Sequence, residues 1–451
     1  MRFFSKLKVM TAVISAAAML AGCGSSAPSS PTAAPADSPA ATASASVSAA
    51  TDASTSGADS SQPITLSVWG YSPNLVDVDK QIADGFTALH PNVTVKITEN
   101  AFDQYPSLLA TQFQSGQAPD AFVTSGFSTS TMMDMADQNL LEPMETLFDP
   151  SQYPDWLLKF FTYNGHIWTK PGMLGDMVGG FYNKKVFAAN NLSLPQSQAD
   201  MDNILATLAK TNITPITIPG KTGADLYYYF GAMVQAYAAD WNSNFPWGGS
   251  KFTDPAFKAV VQQFADWRDK GYFGSDYQAN DVNSCIMELL QGKAAMFVDG
   301  EWNAQSMNGS PDIGVFFFKR PDGLDAGWVS PSQSSGLSVY ANSPNKDMTL
   351  QFVDYFTSKD VQQLLLNMYG LPLDFPLAQG LTVADPLVQA MSTPSHSDLG
   401  LVDTIGAIPK KGVEYFTGMS AELQSYLFKQ VDADHVITTF ESLVDYNNLI
   451  K

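Results

Sequence analysis

The sequence predicts an α/β fold in two lobes, and three observations carry that expectation. Apolar alternation of period two and apolar stripes of helical period take turns along most of the chain, as in sheets covered by helices. The chain has 451 residues, beyond the size at which one hydrophobic core usually stops growing, so it is expected to divide. Its only cysteines are Cys23 and Cys285. If Cys23 is modified, no intrachain disulfide forms and apolar packing alone must hold the fold.

The elements follow in order. Ile64, Leu66 and Val68 alternate with polar residues and predict a strand. Ile82, Phe86 and Leu89 share one helical face, and Pro91 ends that helix. Val93, Val95 and Ile97 alternate again; Leu108, Leu109 and Phe113 mark a helix closing near Gly116; Ala121-Phe122-Val123 is a short buried strand. In the later half, Asp254-Pro255 caps a helix whose inner face is Phe257, Val260, Val261, Phe264 and Trp267, stopped by Gly271. Ile286, Leu289 and Leu290 lead to Gly292, strands are expected over 294–298 and 313–318, and helices over 350–356 and 361–368. No short-period repeat is visible, so a solenoid is not expected.

Residues 1–22 have the layout of a signal peptide: basic Arg2, Lys6 and Lys8, an apolar stretch over 9–20, then Leu20-Ala21-Gly22-Cys23. The last four residues resemble a bacterial lipobox, which implies cleavage before Cys23, a lipid on its thiol and a membrane anchor. Residues 24–62 are almost entirely Ser, Ala, Thr, Pro and Gly. They are expected to be disordered, a tether reaching roughly 35 Å. The anchor and linker together span 23–63. The formal net charge of −20 argues against nucleic-acid binding, which requires basic patches.

Catalytic signatures are sparse. There is no G-x-S-x-G, no H-E-x-x-H, and the four histidines have no metal-ligand spacing. Gly220-Lys221-Thr222 ends like a phosphate loop, but Pro215 stands where its first glycine belongs. No cofactor or metal is expected. Asp299 and Glu301 are the best carboxylate pair for a glycosidase, which needs two carboxyls about 5–10 Å apart.

Six segments resemble the family 1 extracellular solute-binding proteins, the sugar-binding group of ABC importers that includes the maltose-binding type. They are Ile64-Thr65-Leu66-Ser67-Val68-Trp69-Gly70; Phe86 through His90-Pro91-Asn92-Val93; Ser115-Gly116-Gln117-Ala118-Pro119-Asp120; Asn139-Leu140-Leu141-Glu142-Pro143; Phe181-Tyr182-Asn183-Lys184-Lys185-Val186-Phe187; and Gly292-Lys293-Ala294-Ala295-Met296 with Gly300-Glu301-Trp302. A "P-x-TW" motif of the family is absent: the chain reads Pro195-Gln196-Ser197-Gln198-Ala199-Asp200, which leaves the local helix start open.

The resemblance implies a periplasmic-binding-protein-like fold, with a ligand cleft between two discontinuous lobes that close by a hinge. Lobe one is expected over 64–171 and 305–343, and lobe two over 172–304 and 344–451. It implies an extracytoplasmic lipoprotein, not an enzyme. Such a protein captures a carbohydrate, an oligosaccharide by preference, and delivers it to the permease subunits of an ABC transporter. A monomer is expected, with membrane attachment through lipid only. A surface glycoside hydrolase and a binder of a non-sugar small molecule remain as alternatives.

A sugar offers apolar faces to aromatic rings and a rim of hydroxyls to carboxylates and amides, and α/β proteins bind ligands beyond the carboxyl ends of their strands. These conditions select Trp69, Tyr71, Asp103, Asp120, Asp176, Trp247, Asp299, Glu301 and Trp302. The resemblance carries a stacking role onto Trp302. For each, core packing, turn formation or capping is the competing assignment. Phe102, Tyr105, Trp328 and Ser334-Ser335-Gly336 are weaker candidates, while Trp156, Trp168, Trp241, Trp267, the run 227–230 and Met132 to Met135 are assigned to packing.

Overall fold

The computed structural model describes residues 62–446 except 102–103, 125–127, 246–247, 308, 331–335, 369, 402–411 and 445. Two sheets organise these residues. In the first, β1 (Ile64–Gly70) buries Leu66 and Val68 while Thr65 faces solvent, the alternation expected of a strand with one covered face. It pairs in parallel with β2 (Val93–Glu99) from Ile64↔Val93 to Gly70↔Glu99. Between them α1 (Val76–Leu89) lays Val78, Ile82 and Phe86 on the sheet. After α2 (Tyr105–Ser115), β3 (Ala121–Val123) adds to the other side of β1, and the order is β10-β3-β1-β2, with β10 spanning Leu337–Val339 and antiparallel to β3. Helix α3 (Ser128–Asp137) buries Met132, Met133 and Met135 in a satellite core with Tyr105 and Trp168. Then come α4 (Asp155–Lys159) and the small hairpin β4 (Thr162–Tyr163) and β5 (His166–Ile167).

The second sheet is built on β6 (Leu174–Asn183), buried at nine of its ten positions. A strand covered on both faces shows no alternation, which is why this segment is less legible than β1. Next in chain order are α5 (Lys184–Ala189), α6 (Gln198–Leu208), α7 (Gly223–Tyr237), α8 (Ala239–Asn244), α9 (Pro255–Asp269) and α10 (Val282–Leu290). The missing tryptophan motif before α6 is answered by Ser197, whose hydroxyl accepts the Asp200 N–H at 3.1 Å and caps the helix. Strands β7 (Met296–Gly300), β8 (Ile313–Phe316) and β9 (Gly327–Ser330) all pair antiparallel with β6. Helices α11 (Lys346–Phe356) and α12 (Lys359–Leu366) follow. The short β11 (Leu371–Pro372) also joins β6, and, beyond α13 (Pro386–Met391), β12 (Ser397–Leu399) runs parallel to β9. The last helices, α14 (Gly412–Leu427) and α15 (Ala433–Leu443), complete a core rich in aromatic rings, including Tyr229, Phe264, Trp241 and Trp267.

Strand pairing redraws the expected lobe boundaries. Segment 305–343 was expected in lobe one, yet β8 and β9 within it hydrogen-bond to β6, and only β10 joins the first sheet. Segment 344–451 was expected in lobe two, yet α11 and α12 bury Phe352, Val353, Phe356, Val361 and Leu365 against β1 and β2. The motifs mark where the chain resembles the family, not which sheet edge each strand meets. Among the described residues the chain passes between the two sheets three times: between β5 and β6, between β9 and β10, and between α12 and β11. The first two passages meet at Lys170 and Leu337, which exchange backbone hydrogen bonds of 3.2 and 3.3 Å. The hydroxyls of Thr124, Thr169 and Ser338 form a buried chain beside them at 3.0 and 2.7 Å.

Candidate functional site

Among the described candidates, Trp69 and Tyr71 fall at the carboxyl end of β1 and Asp299, Glu301 and Trp302 at that of β7, whereas Asp120 precedes β3 and Asp176 lies at the amino end of β6. At the end of β1, Trp69 is half-buried and Tyr71 is buried, its ring 5.2 Å from that of Tyr105. The turn beyond it is fastened by Glu99, at the end of β2, whose carboxylate accepts the Ser72 N–H. Glu99 reaches that position because residue 70 is glycine: a Cβ there would lie 2.3 Å from Glu99 Oε1. Buried Asp79, in the first turn of α1, lies against Glu99. Burial first, then the Glu99 charge and the hydrogen bond between the two, push its pKa up to about 8, and burial also raises Glu99. Trp69, Tyr71, Ser72, Asp79 and Glu99 line a cavity of about 20 Å³, room for about one water.

In the second sheet, β7 ends in Asp299 and Gly300 and passes into a single 3-10 turn, Glu301–Asn303. Trp302 is half-buried in this turn. Its ring meets Tyr228 of α7 edge-on at 5.4 Å, and Tyr228 in turn stacks on Trp328 of β9 at 5.4 Å and 26°. Gly300 is needed here, because a Cβ would fall 2.0 Å from Cζ3 of Trp302. Asp176, Asp299 and Glu301 sit beneath the turn, exposed by only 2%, 2% and 1%. Asp299 accepts the Gly300 N–H at 2.7 Å, while burial and then the Asp225 charge hold its carboxyl well above the usual range. Glu301 accepts the Met177 N–H at 2.6 Å; burial, then the Asp176 charge, raise it as well.

The structure thus gathers Asp176, Asp299, Glu301 and Trp302 in one place and Trp69 and Tyr71 in another. Five expected contacts are corrected. Asp176, Asp299 and Glu301 are too deeply buried to bind hydroxyls of a solute directly, and the last two to flank a glycosidic bond. Asp120 accepts both the Ser67 N–H, at 2.7 Å, and the Ser343 hydroxyl, so its two oxygens brace β1 against the segment after β10. Trp328 is wholly buried. Phe102, Asp103, Trp247, Ser334, Ser335 and Cys23 lie outside the described residues. Trp168, Trp241 and Trp267 are core residues, as is the run 227–230 of α7.

Sequence reasoning missed Asp79 and Glu99, and it read Tyr228 as packing only. A signal for the first existed: Asp79 shares the apolar stripe of Ile82 and Phe86, and a carboxylate on such a stripe is out of place unless paired. Among the described residues no group of three or more metal-ligating side chains converges.

The family model described as bacterial extracellular solute-binding protein matches residues 72–363. An uncharacterized ABC transporter extracellular-binding protein of Pyrococcus horikoshii is 21% identical over 264 residues, covering 57% of this chain and 61% of that protein's length. Among solved structures, a chitin oligosaccharide binding protein superposes with a TM-score of 0.72 at 20% identity, covering 86% of this chain and 99% of its own. The GacH receptor of Streptomyces glaucescens, studied unliganded and with acarbose, gives 0.69 at 20% identity, with 86% and 98% covered. These likenesses show that the chain shares the two-lobe α/β fold of those binding proteins.

Proposed function

The chain belongs to the bacterial extracellular solute-binding proteins, and from that premise we propose that it captures a carbohydrate, an oligosaccharide by preference, for an ABC importer. The observation that carries this reading is Trp302. A half-buried indole at the carboxyl end of a strand, held over glycine and backed edge-on by Tyr228, offers a rigid apolar face of the kind a pyranose ring covers. Trp69 and Tyr71 are the matching candidates on the first lobe. The names of similar proteins point the same way: one binds chitin oligosaccharide and one was studied with acarbose. The reading includes a lipid on Cys23, export by residues 1–22, a permease as partner and a monomeric state. No helix among the described residues is long and apolar enough to cross a membrane.

The test is a thermal-shift and tryptophan-fluorescence screen of the mature chain against mono- and oligosaccharides. At least one glycan is expected to raise the melting temperature, and Trp302→Ala is expected to weaken its binding about tenfold or more, as loss of an aromatic anchor does. No response to any glycan in a broad panel overturns the reading. Assay of the best-binding glycan for cleavage products addresses the hydrolase alternative, with none expected. Cys23→Ser is expected to release the protein from the membrane fraction, and retention there would reject the lipid anchor.

A further inference from the structure

We propose that Asp176 and Glu301 act together as a proton-sharing carboxyl pair that positions the Trp302 ring, so that solute binding weakens as the medium turns alkaline. The proposal rests on Trp302 being the stacking surface. Glu301 immediately precedes Trp302 in a turn only three residues long, so any shift of its side chain moves the indole. That side chain does not reach solvent. One oxygen takes the Met177 N–H at 2.6 Å, and the residue just before Met177 is Asp176, whose carboxyl is buried beside it at 2% exposure. Both residues lie within the first four residues of β6, directly after the chain's first passage from the other lobe. The turn carrying the indole is thereby pinned to the strand that follows that passage.

Two carboxylates in contact and out of water cannot both be ionised; a proton held between them turns repulsion into an O–H···O⁻ hydrogen bond. The neighbouring groups do not relieve the pair. From β7 comes Asp299, with Asp225 of α7 behind it and the Cys285 thiol of α10 facing it. Asn303, in the turn itself, lies near Asp299, and Ser330 of β9 lies opposite Asp176. α13, which packs on the turn, carries no titratable side chain. The charges acting on Glu301 and Asp299 are thus acidic, and removal of the shared proton leaves repulsion within the pair. The indole has little tolerance for the resulting movement, because its ring already fills the space of the absent Gly300 Cβ.

The experiment is calorimetric titration of the mature chain with the best glycan of the panel from pH 5.5 to 9.5. Wild-type affinity is expected to fall about tenfold across that range, the effect of one lost proton-linked contact. Glu301→Gln, which donates to Asp176 at every pH, is expected to give a flat profile whatever its absolute affinity, and Asp176→Asn serves if that variant does not fold. A wild-type profile already flat, or the wild-type slope persisting in the amide variants, overturns the proposal while Trp302→Ala still loses binding. If instead Trp302→Ala binds like wild type, the stacking reading fails and the proposal falls with it. If no glycan binds, the pair is judged without solute. The Trp302 contribution to emission, wild type minus Trp302→Phe, is expected to shift with pH and to stop shifting in Glu301→Gln; no shift overturns the pair.

Discussion

The two lobes solve one local problem with the same parts, set at different depths. In each, a strand ends in glycine, an acidic side chain fastens the turn that follows through a backbone N–H, a second carboxyl lies against the first, and a tryptophan is beside them. In the first lobe these are Gly70, Glu99 with Ser72, Asp79 and Trp69; in the second, Gly300, Glu301 with Met177, Asp176 and Trp302. The glycines serve different guests: the Glu99 carboxylate fills the space at Gly70, the indole itself at Gly300. Glu99 is only half-buried, whereas Glu301 is wholly buried. The first turn can relax through a movable side chain, but the second has a ring wedged between backbone and Tyr228. A stiff aromatic face thus belongs to one lobe, and an adjustable one to the other.

Substitutions can break or sharpen that contrast. Removing the support behind the stiff side has the largest expected effect. Trp328→Ala empties a buried site under Tyr228 and should destabilise the protein by about 3–5 kcal/mol in urea unfolding. Gly300→Ala drives a methyl into the Trp302 ring, so a loss of about 1–3 kcal/mol is expected, with glycan affinity falling about tenfold by calorimetry. The matching Gly70→Ala meets a carboxylate that can swing away. It should cost only about 1 kcal/mol, the worth of the displaced hydrogen bond to Ser72, and leave glycan affinity within about twofold. Equal losses from the two alanines would erase the distinction.

The last prediction concerns pH. Asp79 has an ordinary value of 3.8 and is pushed up to about 8 in the fold, so the native state holds more protons than the unfolded chain between those values. Its contribution to stability is complete at the acid end and is lost as pH rises toward about 8. The melting temperature should drop across that window, and Asp79→Asn should reduce the drop. A curve that rises over the same window in both proteins would contradict the placement of this carboxyl.

Much of the fold was legible where physics is local. Strands β1 and β2 alternate because one face is covered, Pro91 and Gly116 end helices by their own backbone chemistry, and Asp254-Pro255 opens α9. The resemblance touched only the end of β6, at Phe181 to Asn183, and the pattern did not reveal the rest, because burial on both faces leaves no alternation. β8 and β9 went to the wrong lobe because sheet membership is decided by hydrogen bonds to residues more than a hundred positions away. The site followed the same division. The turn around Trp302 was legible as a motif. That Asp120 is a brace was not, since its partners Ser67 and Ser343 lie 53 and 223 residues distant. That Glu301 points inward was hidden too, since sequence spacing does not say which way a side chain in a single turn faces.

The placement of α14 and α15 has a bearing on biosynthesis. Tyr227 of α7 packs edge-on against Phe416 at 5.6 Å and donates its hydroxyl to the Met419 sulfur at 3.6 Å, and Phe264 of α9 stacks with Tyr426. A ribosome releases α7 and α9 well over a hundred residues ahead of those partners. Through that interval the nascent chain carries a broad aromatic surface with nothing to cover it, a natural target for holdase chaperones and for proteases that clear stalled products. Closure of this lobe is therefore among the last events in the birth of the protein.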